Sequence, residues 1–135
     1  MKNTLVLALL IVPTLIILDL LWIGLIAQGI YQDQIGYLLA TEVTWWAALL
    51  FYVIYGVALA HFVVLPAIKL GDMRRALYNG LLFGLAAFAT YDLTNLATVR
   101  DWPVALTFID MVYGTIVAGV TSATAYVLGK KLVRG

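Results

Sequence analysis

Four apolar runs, each long enough to cross a bilayer as a helix, take up most of this 135-residue chain. They cover about residues 5–30, 43–68, 76–98 and 103–128. A helix needs roughly 20 residues to cross ~30 Å of hydrocarbon. Backbone N–H and C=O groups find no water there, so helices are the natural state, and the alternation that a membrane barrel requires is missing. The chain is 64% hydrophobic and only 11% charged. A globule this small cannot hide that much apolar surface, so lipid must act as its solvent.

The polar links are short: Tyr31 to Thr41 with Gly36, then Lys69-Leu70-Gly71-Asp72, then Arg100-Asp101-Trp102-Pro103. Links of this length force antiparallel neighbours. The expected fold is therefore all-α, an integral membrane up-down-up-down four-helix bundle forming a single domain over 1–135. Pro13 falls inside the first run and should kink it or mark an irregular start. Met1-Lys2-Asn3 before an apolar run mimics a signal peptide, but the run is too long and ends without a clear cleavage site, so it reads as a retained first span.

Charge sets the orientation. Lys2, Lys69, Arg74, Arg75, Lys130, Lys131 and Arg134 fall on one side, and only Arg100 falls on the other. The positive-inside rule puts both termini and the second link in the cytoplasm. Trp45, Trp46 and Trp102 then sit at the outer boundary as an aromatic belt. Gly80 and Gly84, with Gly114, Ala118 and Ser122, and Gly56 with Ala60, recur at four-residue spacing. Such stripes let helices approach closely, within one chain or between copies of a homo-oligomer.

Spanning a bilayer does not require an acid, and a carboxylate in hydrocarbon costs a few kcal/mol on even the mildest scale, about 2.5–3.5. Three lie inside the runs: Asp19, Asp92 and Asp110. At about 1.5 Å per residue, all three come to rest roughly 10–17 Å below the outer rim, level with Tyr52 and Tyr55. On the third helix Tyr91, Asp92, Thr94, Asn95 and Thr98 share an arc of about 160°, which should face the bundle rather than lipid. On the fourth, Thr107, Asp110 and Tyr113 share a face, as Asp19 and Trp22 do on the first. No lysine or arginine lies in this layer. Three carboxylates in a poorly hydrated space cannot all stay ionised. Protonation, a shared cation, or an inward-reaching Arg100 would each resolve the conflict.

Several chemistries drop out. Cysteine is absent, so disulfides, thiolate metal sites and cysteine nucleophiles are excluded. The lone histidine, His61, lies ~10–15 Å below the aspartate layer, too far to share a metal with it. No intramembrane lysine is present for a retinal Schiff base, and no phosphate loop or dinucleotide fingerprint appears. No cofactor, metal or nucleic-acid partner is expected. The partners expected are the lipid bilayer and a small-molecule or lipid ligand. The candidate ligand-binding residues are Asp19, Trp22, Tyr52, Tyr55, Tyr91, Asp92, Thr94, Asn95, Thr98, Asp110 and Tyr113, lining a cavity open toward the periplasm. Aromatic walls with carboxylates suit an organic cation. A carboxylate pair could instead serve acid–base chemistry on a lipid or isoprenoid, and a third reading makes the aspartates hydrogen-bonding glue of an accessory subunit.

The segment Tyr91-Asp92-Leu93-Thr94-Asn95-Leu96-Ala97-Thr98, with Trp102-Pro103 and Ile109-Asp110-Met111-Val112-Tyr113-Gly114-Thr115 after it, resembles a family of small bacterial inner-membrane proteins of unknown function. The resemblance covers essentially the whole chain and implies a four-span protein whose shared site includes that octapeptide. It carries no activity. A looser, architectural likeness is to the small multidrug exporters, which also pair four short spans with a carboxylate in the first. Three aspartates here set the chain apart from them.

Overall fold

The computed structural model describes residues 1–133, so Arg134 lies outside the described residues. Four helical stretches account for most of it: α1, Lys2–Leu38; α2, Trp45–Leu70; α3, Met73–Thr98; and α4, Val104–Val133. Three of them, α1, α2 and α4, are long and apolar enough to cross a membrane. The third run departs from that expectation. At 26 residues α3 has the length, but Arg74, Arg75, Asn79, Asp92 and Asn95 dilute its apolar character.

The first helix overruns its expected end. The stretch Tyr31 to Leu38 continues it instead of forming a link, which shrinks to residues 39–44. The physical reason is a stripe at four-residue spacing, with Ala27 and Ile35 buried and Tyr31 partly so, that gives the polar Gln28–Ile35 segment a face to pack. Pro13 leaves α1 in α-helical geometry. The irregularity falls later, where Trp22–Ala27 widens into a π-helical turn. A second such turn, Ala60–Val64, comes just before Pro66 in α2, where the ring removes a backbone donor.

The α2–α3 turn is tight because Gly71 takes a left-handed φ of 70° and Asp72 N-caps α3, accepting from the Arg75 N–H at 3.2 Å. The α3–α4 turn carries Asp101 at φ 59°, a conformation that aspartate tolerates better than most side chains.

Small residues fix how α3 and α4 meet. A methyl on Gly80 would strike Ser122, one on Gly84 would strike Ala118 and the Gly114 carbonyl, and one on Gly114 would strike the Phe88 ring. Each step of four along α3 thus meets a step of four back along α4. The Gly80–Gly84 and Gly114–Ala118–Ser122 stripes thus pack against each other within one chain. Gly56 likewise seats Val12 of α1, and Gly129 seats Leu7. The main core gathers at the level of Leu7, Ile11, Leu59 and Val64. A smaller cluster of Ile35, Trp102 and Leu106, with Ile30, Tyr31 and Leu96 against it, closes the other end. Trp102 therefore departs from the aromatic belt. It is buried, and its Nε1 donates to Thr107 Oγ1 at 3.1 Å. Trp45 and Trp46 are exposed.

Candidate functional site

The α3–α4 register carries straight into the acidic layer. After Gly80–Ser122, Gly84–Ala118 and Phe88–Gly114, the next rung sets Asp92 against Asp110, and Leu96 and Leu106 close the row. Asp110 is the charged group that acts on Asp92. Asp92 is fully buried and neither of its oxygens has a hydrogen-bond donor. Two ionised carboxylates offer each other only lone pairs, whereas one proton between them supplies the donor. A proton held between the two would give Asp92 the donor it lacks.

Asp19 is satisfied differently. Tyr52 of α2 donates to its Oδ2 at 2.7 Å, and Tyr113 of α4 donates to its Oδ1 at 2.5 Å. Trp22, one turn further along α1, stacks on Tyr113 with ring centroids 4.4 Å apart and planes 6° from parallel. Tyr31 donates to Asp110 Oδ1, and Trp22 Nε1 lies 3.5 Å from the Tyr31 hydroxyl. Helical side chains lean toward the N-terminus, so Tyr31, above the layer, reaches back down into it. Asp19 in turn feels Asp110. The three carboxyls thus form one cluster, Asp92 beside Asp110 and Asp19 linked to Asp110 through Tyr113, Trp22 and Tyr31, and no lysine, arginine or histidine is paired with them among the described residues.

A cleft of about 330 Å³ lies against this cluster. Asp19 and Asp110 supply its acids, while Trp22, Tyr31, Tyr55 and Tyr113 supply much of its wall. Asp92 stands behind Asp110 in the seam. The Tyr55 hydroxyl is buried without a partner. Among the described residues no group of three or more acids or histidines is arranged to hold a metal ion. His61 is exposed, with Thr4 Oγ1 3.4 Å from its Nδ1, remote from the cluster.

One expectation needs correction. The polar arc of α3 does not turn wholly inward. Asp92 at its edge is buried and Asn95 partly so, but Tyr91, Thr94 and Thr98 are exposed. Thr94 donates to the Thr90 carbonyl and Thr98 to the Thr94 carbonyl at 2.7 Å, so their protons are satisfied by their own helix. A 160° arc is wider than the single seam with α4 can cover. Phe51 and Tyr55 of α2 and Ala87, Phe88 and Tyr91 of α3 also line the cleft.

Sequence reasoning missed Tyr31, taken for part of a link. The Ala27–Tyr31–Ile35 spacing was the available signal. It also missed Phe51, Ala87 and Phe88, apolar residues with nothing to set them apart from ordinary packing.

Helices long and apolar enough to span, wrapped around unpaired carboxyls, define a helical membrane protein with an acidic interior. The chain belongs to the family described as Predicted membrane protein (DUF2177), which it matches over residues 4–127, a stretch that contains all three aspartates. No curated protein and no solved structure matches it.

Proposed function

We propose that this is a four-span protein of the bacterial inner membrane, a single up-down-up-down bundle with both termini cytoplasmic, that binds or translocates a small cationic or amphipathic solute at Asp19 and Asp110, with one carboxyl changing protonation. The observation that carries the reading is the cleft itself: carboxyls and aromatic faces meet around about 330 Å³ with no basic side chain paired to them. A cation entering this space gains charge pairing in a medium where it is weakly screened, together with cation–π contact on Trp22 and Tyr113. α3 can serve as the fourth crossing because Asp92 is buried against α4 rather than turned to lipid.

The test is binding of dodecylamine to the purified protein in nanodiscs. Asp19→Asn and Asp110→Asn should each weaken it at least tenfold while the protein stays folded. Wild-type affinity in both variants sinks the reading and leaves the aspartates as helix glue.

A second reading, an enzyme acting on a lipid by acid–base chemistry, draws on the Asp92–Asp110 pair. One carboxyl there can hold a proton while its neighbour accepts one. Turnover of a lipid substrate that Asp110→Asn abolishes would favour it over binding alone.

A further inference from the structure

We propose that the solute is a membrane-resident, single-chain amphiphile with a primary-amine headgroup, and that it reaches the carboxylates sideways, head first, through a slot between α2 and α3. This rests on the cation-binding reading above and names the class of cation.

The slot follows from where α2 and α3 part. They meet at Tyr55 and Phe83, whose rings touch edge to face at 5.4 Å. Outward of that contact α2 is less enclosed: from Trp45 to Ile54 none of its residues is fully buried, and Tyr52 holds it to Asp19 of α1 rather than to α3. The facing side of α3 runs through Phe83, Ala87, Tyr91, Thr94 and Thr98, which fall on one stripe at spacings of four, four, three and four. Ala87 and Tyr91 line the cleft, and Thr94 and Thr98, both exposed, continue the stripe to the outer end. The polar arc of α3 therefore borders an open lateral path. Trp102 and its neighbours pack together at the outer end of the bundle.

The lining decides the headgroup. Thr94 and Thr98 spend their hydroxyl protons on their own helix and turn lone pairs outward. Tyr52 and Tyr113 spend theirs on Asp19, and Tyr31 spends its proton on Asp110. From slot to cluster the path offers chiefly acceptors and carboxyls, with the Tyr55 hydroxyl as an unspent group that can also accept from an ammonium N–H, so it favours a cation with N–H donors over a quaternary ammonium and disfavours an anion.

The mouth decides the tail. Phe51 and Tyr91, both about half exposed, flank it roughly 10 Å below the outer helix ends, at the depth of acyl chains. The cleft has room for about ten water molecules' worth of ligand. A headgroup and a few carbons fill it, and the rest of the chain stays in lipid.

The experiment titrates the protein in nanodiscs with butylamine, dodecylamine, dodecyltrimethylammonium and dodecyl sulfate, each corrected for partition into empty nanodiscs. Dodecylamine should bind at least tenfold more tightly than butylamine and than the trimethylammonium, and the sulfate should not bind. Equal affinity for the two amines overturns the amphiphile and leaves the cation reading standing. Equal affinity for the trimethylammonium overturns the primary-amine assignment. Binding of no amine overturns both readings. The absence of cysteine allows a second arm. In the double variant Phe51→Cys, Tyr91→Cys, a cleavable bis-maleimide bridge across the mouth should slow dodecylamine binding at least tenfold, and cleavage should restore it. An unchanged rate with the bridge in place overturns sideways entry.

Discussion

Asp19 and Asp92 are chemically identical and differ in what their neighbours supply. Asp19 has a tyrosine donor on each oxygen. Asp92 has none and faces a second carboxyl. Conservative substitutions should therefore have opposite consequences. Tyr113→Phe removes one donor from a carboxylate and should cost about 1.5–3 kcal/mol, read by thermal unfolding in detergent. Asp92→Asn replaces a donorless carboxyl with an amide that can donate to Asp110, and should leave stability within about 1 kcal/mol of wild type or raise it. A loss from Asp92→Asn as large as that from Tyr113→Phe would show that the pair is not sharing a proton in the way its geometry implies.

At the scale of elements, the α3–α4 seam sets the site. Its glycines and alanine let the backbones approach, and the same spacing of four then delivers Asp92 to Asp110 without any further device. Gly84→Ala puts a methyl against the α4 backbone and should cost about 1–3 kcal/mol through overpacking. Gly29, with open space around its Cβ position, is the control: Gly29→Ala should be neutral or stabilise by up to about 1 kcal/mol through helix propensity. Unfolding of both variants in one detergent gives the comparison. Equal effects would mean that the seam is looser than the contacts at Gly84 imply. The α1 overrun belongs to this scale too. The segment after Ala27 looks like a link by polarity, yet its stripe of Ala27, Tyr31 and Ile35 keeps it helical and brings Tyr31 over the cluster.

For the whole molecule the open question is the fourth crossing, since α3 is the helix whose polarity argues against it. If α3 crosses, Arg100 and Lys69 stand on opposite sides of the membrane; if it does not, they share one. The cysteine-free background makes this a clean measurement. Arg100→Cys should react with a membrane-impermeant maleimide added to intact cells, and Lys69→Cys should react only after the cells are opened. Labelling of both from outside would remove the four-span reading and the orientation with it.

The sequence alone determined that the chain is helical and belongs in lipid, because run length and composition are local quantities and a bilayer leaves the backbone few alternatives. It also picked out the three aspartates and their common depth, because rise per residue is fixed. It could not determine which side of each helix meets which neighbour. That is a matter of register and splay, and both depend on contacts between residues far apart in the chain. Tertiary structure alone decided that Tyr31 closes over Asp110, that Trp102 is buried in the small cluster at the outer end, and that Phe51, Ala87 and Phe88 line the cleft. A side chain's address along its own helix is written locally, whereas what it touches is settled only when the helices pack.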